Sequence, residues 1–310
     1  MKLITRETFG AVTDWRIFVE AIDAGHALSK AEVEDVFLGP QGNTLLSRAA
    51  RIEGIGFGVK SVTVIAQNTK RDLPSVQGGM IVFDEQTGTP TALIDSALIT
   101  DIKTAADSAL GARYLARPDA KHMVVLGAGS VAGNVIAAYR QMFPKLERFT
   151  LWNRTDAKAK ALAATLQNTG LPVFATSDIS EAVGQADIVT CATMSTDPVL
   201  KGKWLRPGTH VDLIGAFRAD MREADDDVLT SGQIYVDSRD TTLAHIGELK
   251  IPLSRGVISE ADILGDLYQL KARGSADRHP DTITVFKNGG GAHLDLMIAN
   301  AILQLEASQS

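Results

Sequence analysis

A chain of 310 residues can form one large or two modest domains, and its 45% hydrophobic, 22% charged composition is that of an ordinary globular protein. A formal charge of −6 argues against a surface for nucleic acid or anionic membrane, so basic residues gathered in a site are local devices for an anion. A single cysteine, Cys191, excludes an intrachain disulfide, the opening MKLITRETFG lacks a signal-peptide core, and no apolar run approaches a membrane span, so a cytoplasmic location is expected.

In chain order, Thr13 to Ser29 carries Trp15, Phe18, Val19 and Ile22 at helical spacing. Short β-branched segments follow at Thr44–Leu46, Gly58–Ile65, Gly79–Phe83 and Thr91–Ile94, several of them separated by turn signals. A helix is expected from Ile99 to Leu115, ended by Arg117-Pro118-Asp119. The rhythm then becomes strict β-α alternation. Strands are predicted at Met123–Leu126, Phe149–Trp152, Val173–Ala175, Ile188–Ala192, Val211–Ile214 and Ile234–Val236, with helices at Val131–Phe143 and Ala157–Gln167. Apolar strands alternating with helices imply a parallel sheet covered on both faces. A strand at Thr282–Phe286, a glycine run and a helix at Ala292–Leu305 close the chain. The expected fold class is α/β: a Rossmann-type doubly wound parallel sheet over 117–287, plus a mixed α+β domain built from 1–116 with 288–310.

Gly127-Ala128-Gly129-Ser130-Val131-Ala132 matches the dinucleotide fingerprint, and it follows a strand and opens a helix, the context that gives the motif meaning. Gly127 permits the tight turn, Gly129 lets a pyrophosphate approach the backbone, and the helix start offers N–H groups, those of Ser130 and Val131 among them. The next strand runs into Asn153-Arg154-Thr155 with no acid where an NAD enzyme usually binds the ribose 2′-hydroxyl. Arg154 can pair with a 2′-phosphate and its neighbours can supply neutral hydrogen bonds, so NADPH is favoured. Asp156 lies close enough to keep NADH use open.

Taken together, these segments resemble the ornithine cyclodeaminase/μ-crystallin family over nearly the whole chain. The resemblance is carried by Gly58-Val59-Lys60, Leu73-Pro74-Ser75-Val76-Gln77-Gly78, Ile99 to Ala106, the glycine loop, Trp152-Asn153-Arg154-Thr155, Lys203 to Gly208, and Phe286-Lys287-Asn288-Gly289-Gly290-Gly291. It implies a homodimer, a substrate and dimerisation domain completed by the C-terminal helix, and an active site in the cleft between domains. It implies that Lys60 grips a substrate carboxylate. Lys103 stands where the family usually has an arginine, a point charge in place of a planar fork. A further arginine of the grip is Arg48, with Arg51 as the alternative. Ser75 matches a hydroxyl residue near the nicotinamide carboxamide. Thr104, Thr193, Gly215, Asn288 and Gly289 complete the expected cofactor contacts.

Phe217, in Gly215-Ala216-Phe217-Arg218-Ala219-Asp220, departs from the cyclodeaminases, which carry an aspartate there to manage the ornithine amino group. A phenyl ring can only wall a flat substrate. The pattern resembles the ketimine-reductase branch and, within it, bacterial Δ1-pyrroline-2-carboxylate reductases. The implied activity is NAD(P)H-dependent reduction of a small cyclic imino acid. Alternatives are an amino-acid dehydrogenase, a cyclodeaminase, or a non-catalytic μ-crystallin-like NADP-binding protein. His210, His245 and His293 are scattered without metal-like spacing, and no metal is expected. Cys191, ending an apolar strand, reads as core.

Overall fold

In the computed structural model, which describes residues 1–40, 42–274 and 278–308, the chain divides into two compact units. One comprises Met1–Lys103 and the chain from Gly291 onward; the other is Thr104–Gly290.

The first unit is a six-stranded sheet on which the C-terminal helix packs, with the helix Trp15–Gly25 packed against that helix. The strands are β1 (Lys2–Ile4), β2 (Glu32–Leu38), β3 (Asn43–Ile52), β4 (Gly56–Ile65), β5 (Val76–Phe83) and β6 (Pro90–Asp95). Their order is β1-β6-β5-β4-β3-β2, antiparallel except for the β1–β6 pair, so the sheet is mixed. Helix α1 (Trp15–Gly25) is shorter than the sequence suggests because Asp14 caps it, accepting from Arg16 N at 3.0 Å. Its apolar stripe of Trp15, Phe18, Val19 and Ile22 is buried. The expected strand at Thr44–Leu46 is only the start of the ten-residue β3. Strands β1 and β2 were not anticipated. In β2 the run Glu32-Val33-Glu34-Asp35 looks like a solvated loop, yet Glu32 and Asp35 pair across the ladder with Arg51 and Arg48.

Because side chains alternate along a strand, ladder register decides which residues share a face. Asp35, Arg48, Lys60, Met80, Ile94 and Ile4 form one cross-strand row. The C-terminal helix covers that face, and Gly58 admits it: a Cβ there would collide with Met80 and press on Leu296. On the other face Leu3, Val36, Leu38, Leu45, Phe57 and Ile81 are exposed.

Helix α2 (Ser96–Leu115) carries the chain across the division between the units. The second unit contains strands β7 (His122–Leu126), β8 (Arg148–Trp152), β9 (Val173–Ala175), β10 (Ile188–Cys191), β11 (His210–Leu213), β12 (Gln233–Val236), β13 (Ile263–Gly265) and β14 (Thr284–Lys287). They form one parallel sheet in the order β13-β12-β14-β11-β10-β7-β8-β9. β7, β10, β11 and β14 are buried throughout, as a doubly covered parallel sheet requires. The last strand lies two residues later than expected at its start and takes in Lys287. Cys191 is buried in the core. Strand order reverses at β7, between β8 and β10, which sets a switch point at the carboxyl ends of these strands. Helices α3 (Ser130–Met142) and α4 (Asp156–Gln167) follow β7 and β8, and α5 (Ala292–Ser308) ends the described chain.

Candidate functional site

In the first unit, the helix-covered sheet face gathers cations. Lys60, at the middle of β4 and only 6% exposed, makes a 2.7 Å ion pair with Asp295 in the first turn of α5. Arg48, opposite it on β3, grips Asp35 of β2, donating from Nη2 at 2.7 Å and from Nε at 3.1 Å. Lys103, 8% exposed, has no hydrogen bond or ion pair among the described residues. Register also separates the two candidate arginines. Arg48 shares a row with Lys60, whereas Arg51 belongs to the opposite face, over the Phe57 ring and paired with Glu32. Burial pushes the Lys60 ammonium below its ordinary value; Asp295 opposes that shift, and Lys103 and Arg48 add to it. His293, beside His26 in an edge-to-face contact, is held neutral well below its usual value, mainly by burial and then by His26, Lys103 and Arg48. Ser75 lies just before β5, half-buried, with its carbonyl accepting from Ile65 N at 2.8 Å.

In the second unit, a cleft of about 360 Å³ opens at the switch point. It is lined by the loops after β7, β8 and β10, and it brings together Gly127, Gly129, Asn153, Arg154, Thr155 and Thr193. Gly127 sits at φ +121°, and a Cβ there would strike the Ala192 carbonyl; at Gly129 a Cβ would meet nothing. That open space lies at the N-cap of α3, which has no side-chain cap, so the first N–H groups of the helix, including those of Ser130 and Val131, can serve another acceptor. The arrangement suits a dinucleotide diphosphate. Asn153 turns inward and donates to Thr155 O at 2.9 Å, shaping the loop. Arg154 is exposed at the rim, and Lys158, in the first turn of α4, also lines the cleft. Sequence reading missed Lys158, although its i,i+4 spacing from Arg154 was visible. A larger hollow of about 540 Å³ lies at the opposite strand ends, around Pro207, Gln233 and Ile283, away from this chemistry.

Thr193, Gly215, Asn288 and Gly289 belong to a buried polar framework, and Phe217 lies outside it. Thr193 donates from N and Oγ1 to Glu223 Oε1, at 2.6 and 2.8 Å, and Gly215 N donates to Oε2 at 2.5 Å. Glu248 accepts from Glu223 N at 2.6 Å and Ala224 N at 3.1 Å; burial, with Glu223 nearby, pushes it up to about 7. Lys287 Nζ donates to Leu213 O and Asn288 O, each at 2.8 Å. Asp237 accepts from Gly289 N and Gly290 N and so shapes the glycine run. Asn288 donates to Thr104 O at 3.0 Å and Ser108 Oγ at 2.9 Å. Phe217, after β11, is 54% exposed with Arg218 over its ring, so it is not a core side chain. Asp295, Asp35, Glu223, Glu248, Asp237 and Lys287 were all missed as site residues. Among the described residues no group of three or more His, Cys, Asp or Glu is placed to hold a metal, and no helix is long and apolar enough to cross a membrane.

The family model of the ornithine cyclodeaminase/mu-crystallin family matches residues 43–309. A Δ1-pyrroline-2-carboxylate reductase of Paracoccus denitrificans is 53% identical over 294 residues, covering 94% of this chain and 93% of its own length. The solved Δ1-pyrroline-2-carboxylate reductase of Thermococcus litoralis, in complex with NADH and L-proline, superposes with a TM-score of 0.91 at 28% identity, covering 99% of this chain and 98% of that one. An archaeal alanine dehydrogenase dimer with bound NAD gives 0.92 at 25% identity, over 100% and 97% of the two chains.

Proposed function

This chain belongs to the ornithine cyclodeaminase/mu-crystallin family, and we propose that it is an oxidoreductase using NAD(P)H to reduce a cyclic imino acid. The main reaction is Δ1-pyrroline-2-carboxylate to L-proline, with Δ1-piperideine-2-carboxylate to L-pipecolate as the six-membered counterpart. The observation that carries this reading is the group of cations formed by Arg48, Lys60 and Lys103. Arg48 and Lys60 each have a carboxylate, while buried Lys103 has none among the described residues. A buried cation without a counter-charge is costly, and a substrate carboxylate supplies the missing anion. The similarity to the Paracoccus reductase supports the choice of ring.

Lys60, Arg48 and Lys103 hold the carboxylate, and Phe217 supplies an apolar wall rather than an acid. A protonated imine is already electrophilic at carbon, so the protein's main task is orientation. The dinucleotide is held by backbone groups at Gly127, Gly129, Ser130 and Val131, and by Asn153, Arg154 and Thr155 near the adenosine ribose. Ser75, Thr104, Thr193, Gly215, Asn288 and Gly289 keep the cofactor-side roles implied by the resemblance. When bound, the nicotinamide supplies the hydride. Arg154 and Lys158 together favour the 2′-phosphate of NADPH, with NADH as the secondary coenzyme.

The exposed apolar sheet face of Leu3, Val36, Leu38, Leu45, Phe57 and Ile81 is our candidate homodimer surface, in line with the archaeal alanine dehydrogenase dimer. The cytoplasm is the proposed compartment. The test is NADPH consumption with five- and six-membered cyclic imino acids, against pyruvate plus ammonia. Rapid turnover of the five-membered imine is expected; turnover of pyruvate and ammonia alone would make this an amino-acid dehydrogenase.

A further inference from the structure

The Lys60–Asp295 pair carries a consequence for how the proposed substrate site works. Asp295 is fully buried, sits in the first turn of α5, and makes its 2.7 Å ion pair with Lys60. Its oxygens accept no hydrogen bond from any other group among the described residues. It is therefore unlike Glu223, Glu248 and Asp237, each of which accepts backbone N–H donors and shapes a loop. A carboxylate that caps nothing and orders no turn, placed on a buried ammonium, acts through that ammonium.

We propose that Asp295 is a positioning residue for Lys60: it ties up one of the three ammonium donors, keeps the group charged, and leaves the other two for the substrate carboxylate. This rests on the reading of Lys60 as a substrate-binding residue. The charged and titratable groups around Lys60 set the direction of its response. Arg48 of β3 and Lys103 of α2 oppose a further positive charge, as burial does. β5 offers only Met80 opposite Lys60. From α5 come Asp295 and the neutral His293, with His26, just after α1, against the latter. Asp295 is thus the carboxylate that offsets burial at Lys60. Its removal lowers the pH at which Lys60 loses its proton.

The experiment compares the unmodified protein with Asp295→Asn and Asp295→Glu by two readouts. The first needs no substrate: the Nζ resonance of Lys60 in 15N-lysine-labelled protein, assigned by its loss in Lys60→Met, followed against pH. The second is kcat/KM for Δ1-pyrroline-2-carboxylate against pH, with NADPH affinity measured separately. In Asp295→Asn, Lys60 should titrate about one unit or more lower, and the alkaline fall of kcat/KM should move down with it, a roughly tenfold loss on that limb. NADPH affinity should hold, and Asp295→Glu should restore part of the shift. An unchanged Lys60 titration would overturn the proposal, as would a shifted titration with a superimposable pH profile. If Lys60 shifts but the unmodified protein does not reduce the imine, the link between Asp295 and Lys60 stands and the proposed reaction fails.

Discussion

The two units bury charge in opposite ways. In the second unit the acids are consumed by the fold: Glu223 accepts from the backbone at Thr193 and Gly215, Glu248 from that at Glu223 and Ala224, and Lys287 donates to two carbonyls. In the first unit Arg48 and Lys60 stand in a row across a sheet, each paired side chain to side chain, and Lys103 of α2 acts on Lys60 without a partner of its own among the described residues. Buried ions that satisfy backbone groups build loops. Buried ions that leave a net charge over are arranged for something that arrives from outside.

Substitution should separate the two kinds. The largest effect is expected for Lys60→Ala, which should cost about 2–5 kcal/mol in kcat/KM for the imine, since it removes an anchor and leaves Asp295 buried without its cation. NADPH affinity should stay nearly constant, and near-normal turnover would remove Lys60 from the site. Lys103→Ala should also raise KM for the imine. It strands no carboxylate and removes a buried charge that has no counter-ion, so urea denaturation should report a midpoint equal to or above that of the unmodified protein.

Glu248→Ala should act the other way round, on folding more than on substrate binding. It would strand two buried backbone donors at about 1–3 kcal/mol each, read as a lower urea midpoint. Its pH dependence has a definite sign. Glu248 is raised to about 7 in the folded protein, above the value of about 4.3 for an unfolded chain. Its contribution is full below that lower value and is lost as pH rises through about 7. The unmodified protein should therefore lose more stability between pH 5 and pH 8 than Glu248→Gln does, and equal losses would argue that Glu248 stays ionised throughout.

The smallest effect is at the cleft rim. Arg154→Ala should weaken NADPH by about tenfold, the size of one charge-assisted hydrogen bond, with little change for NADH. Equal weakening of both coenzymes would mean that Arg154 does not read the 2′-phosphate.

What the sequence disclosed follows from how local each feature is. The glycine loop is legible because its turn, its close approach and its helix start all lie within six consecutive residues, Gly127 to Ala132. The alternating strands of the parallel sheet are legible because burial on both faces makes them continuous apolar runs. Strand β2 was not, because its acids are matched by arginines on a neighbouring strand, and a single strand does not show its partner. The resemblance favours Arg48 and leaves Arg51 open; the β3–β4 register puts Arg48 beside Lys60 and turns Arg51 to the opposite face. Asp295 lies far from Lys60 in sequence and reaches it only because α5 packs back on the first sheet. Lys287 enters the sequence reading only as part of the segment Phe286 to Gly291, and its burial among Glu223, Glu248, Asp237 and Asp212 shows its place.

The reaction itself is tested most directly by offering the unmodified protein two substrates side by side: Δ1-pyrroline-2-carboxylate with NADPH, and L-ornithine with catalytic NAD⁺. Phe217 cannot exchange protons with an amino group, so the expected result is rapid formation of L-proline from the imine and no useful ammonia release from ornithine. Ammonia release from ornithine, with the imine left untouched, would contradict both the assigned reaction and the role given to Phe217.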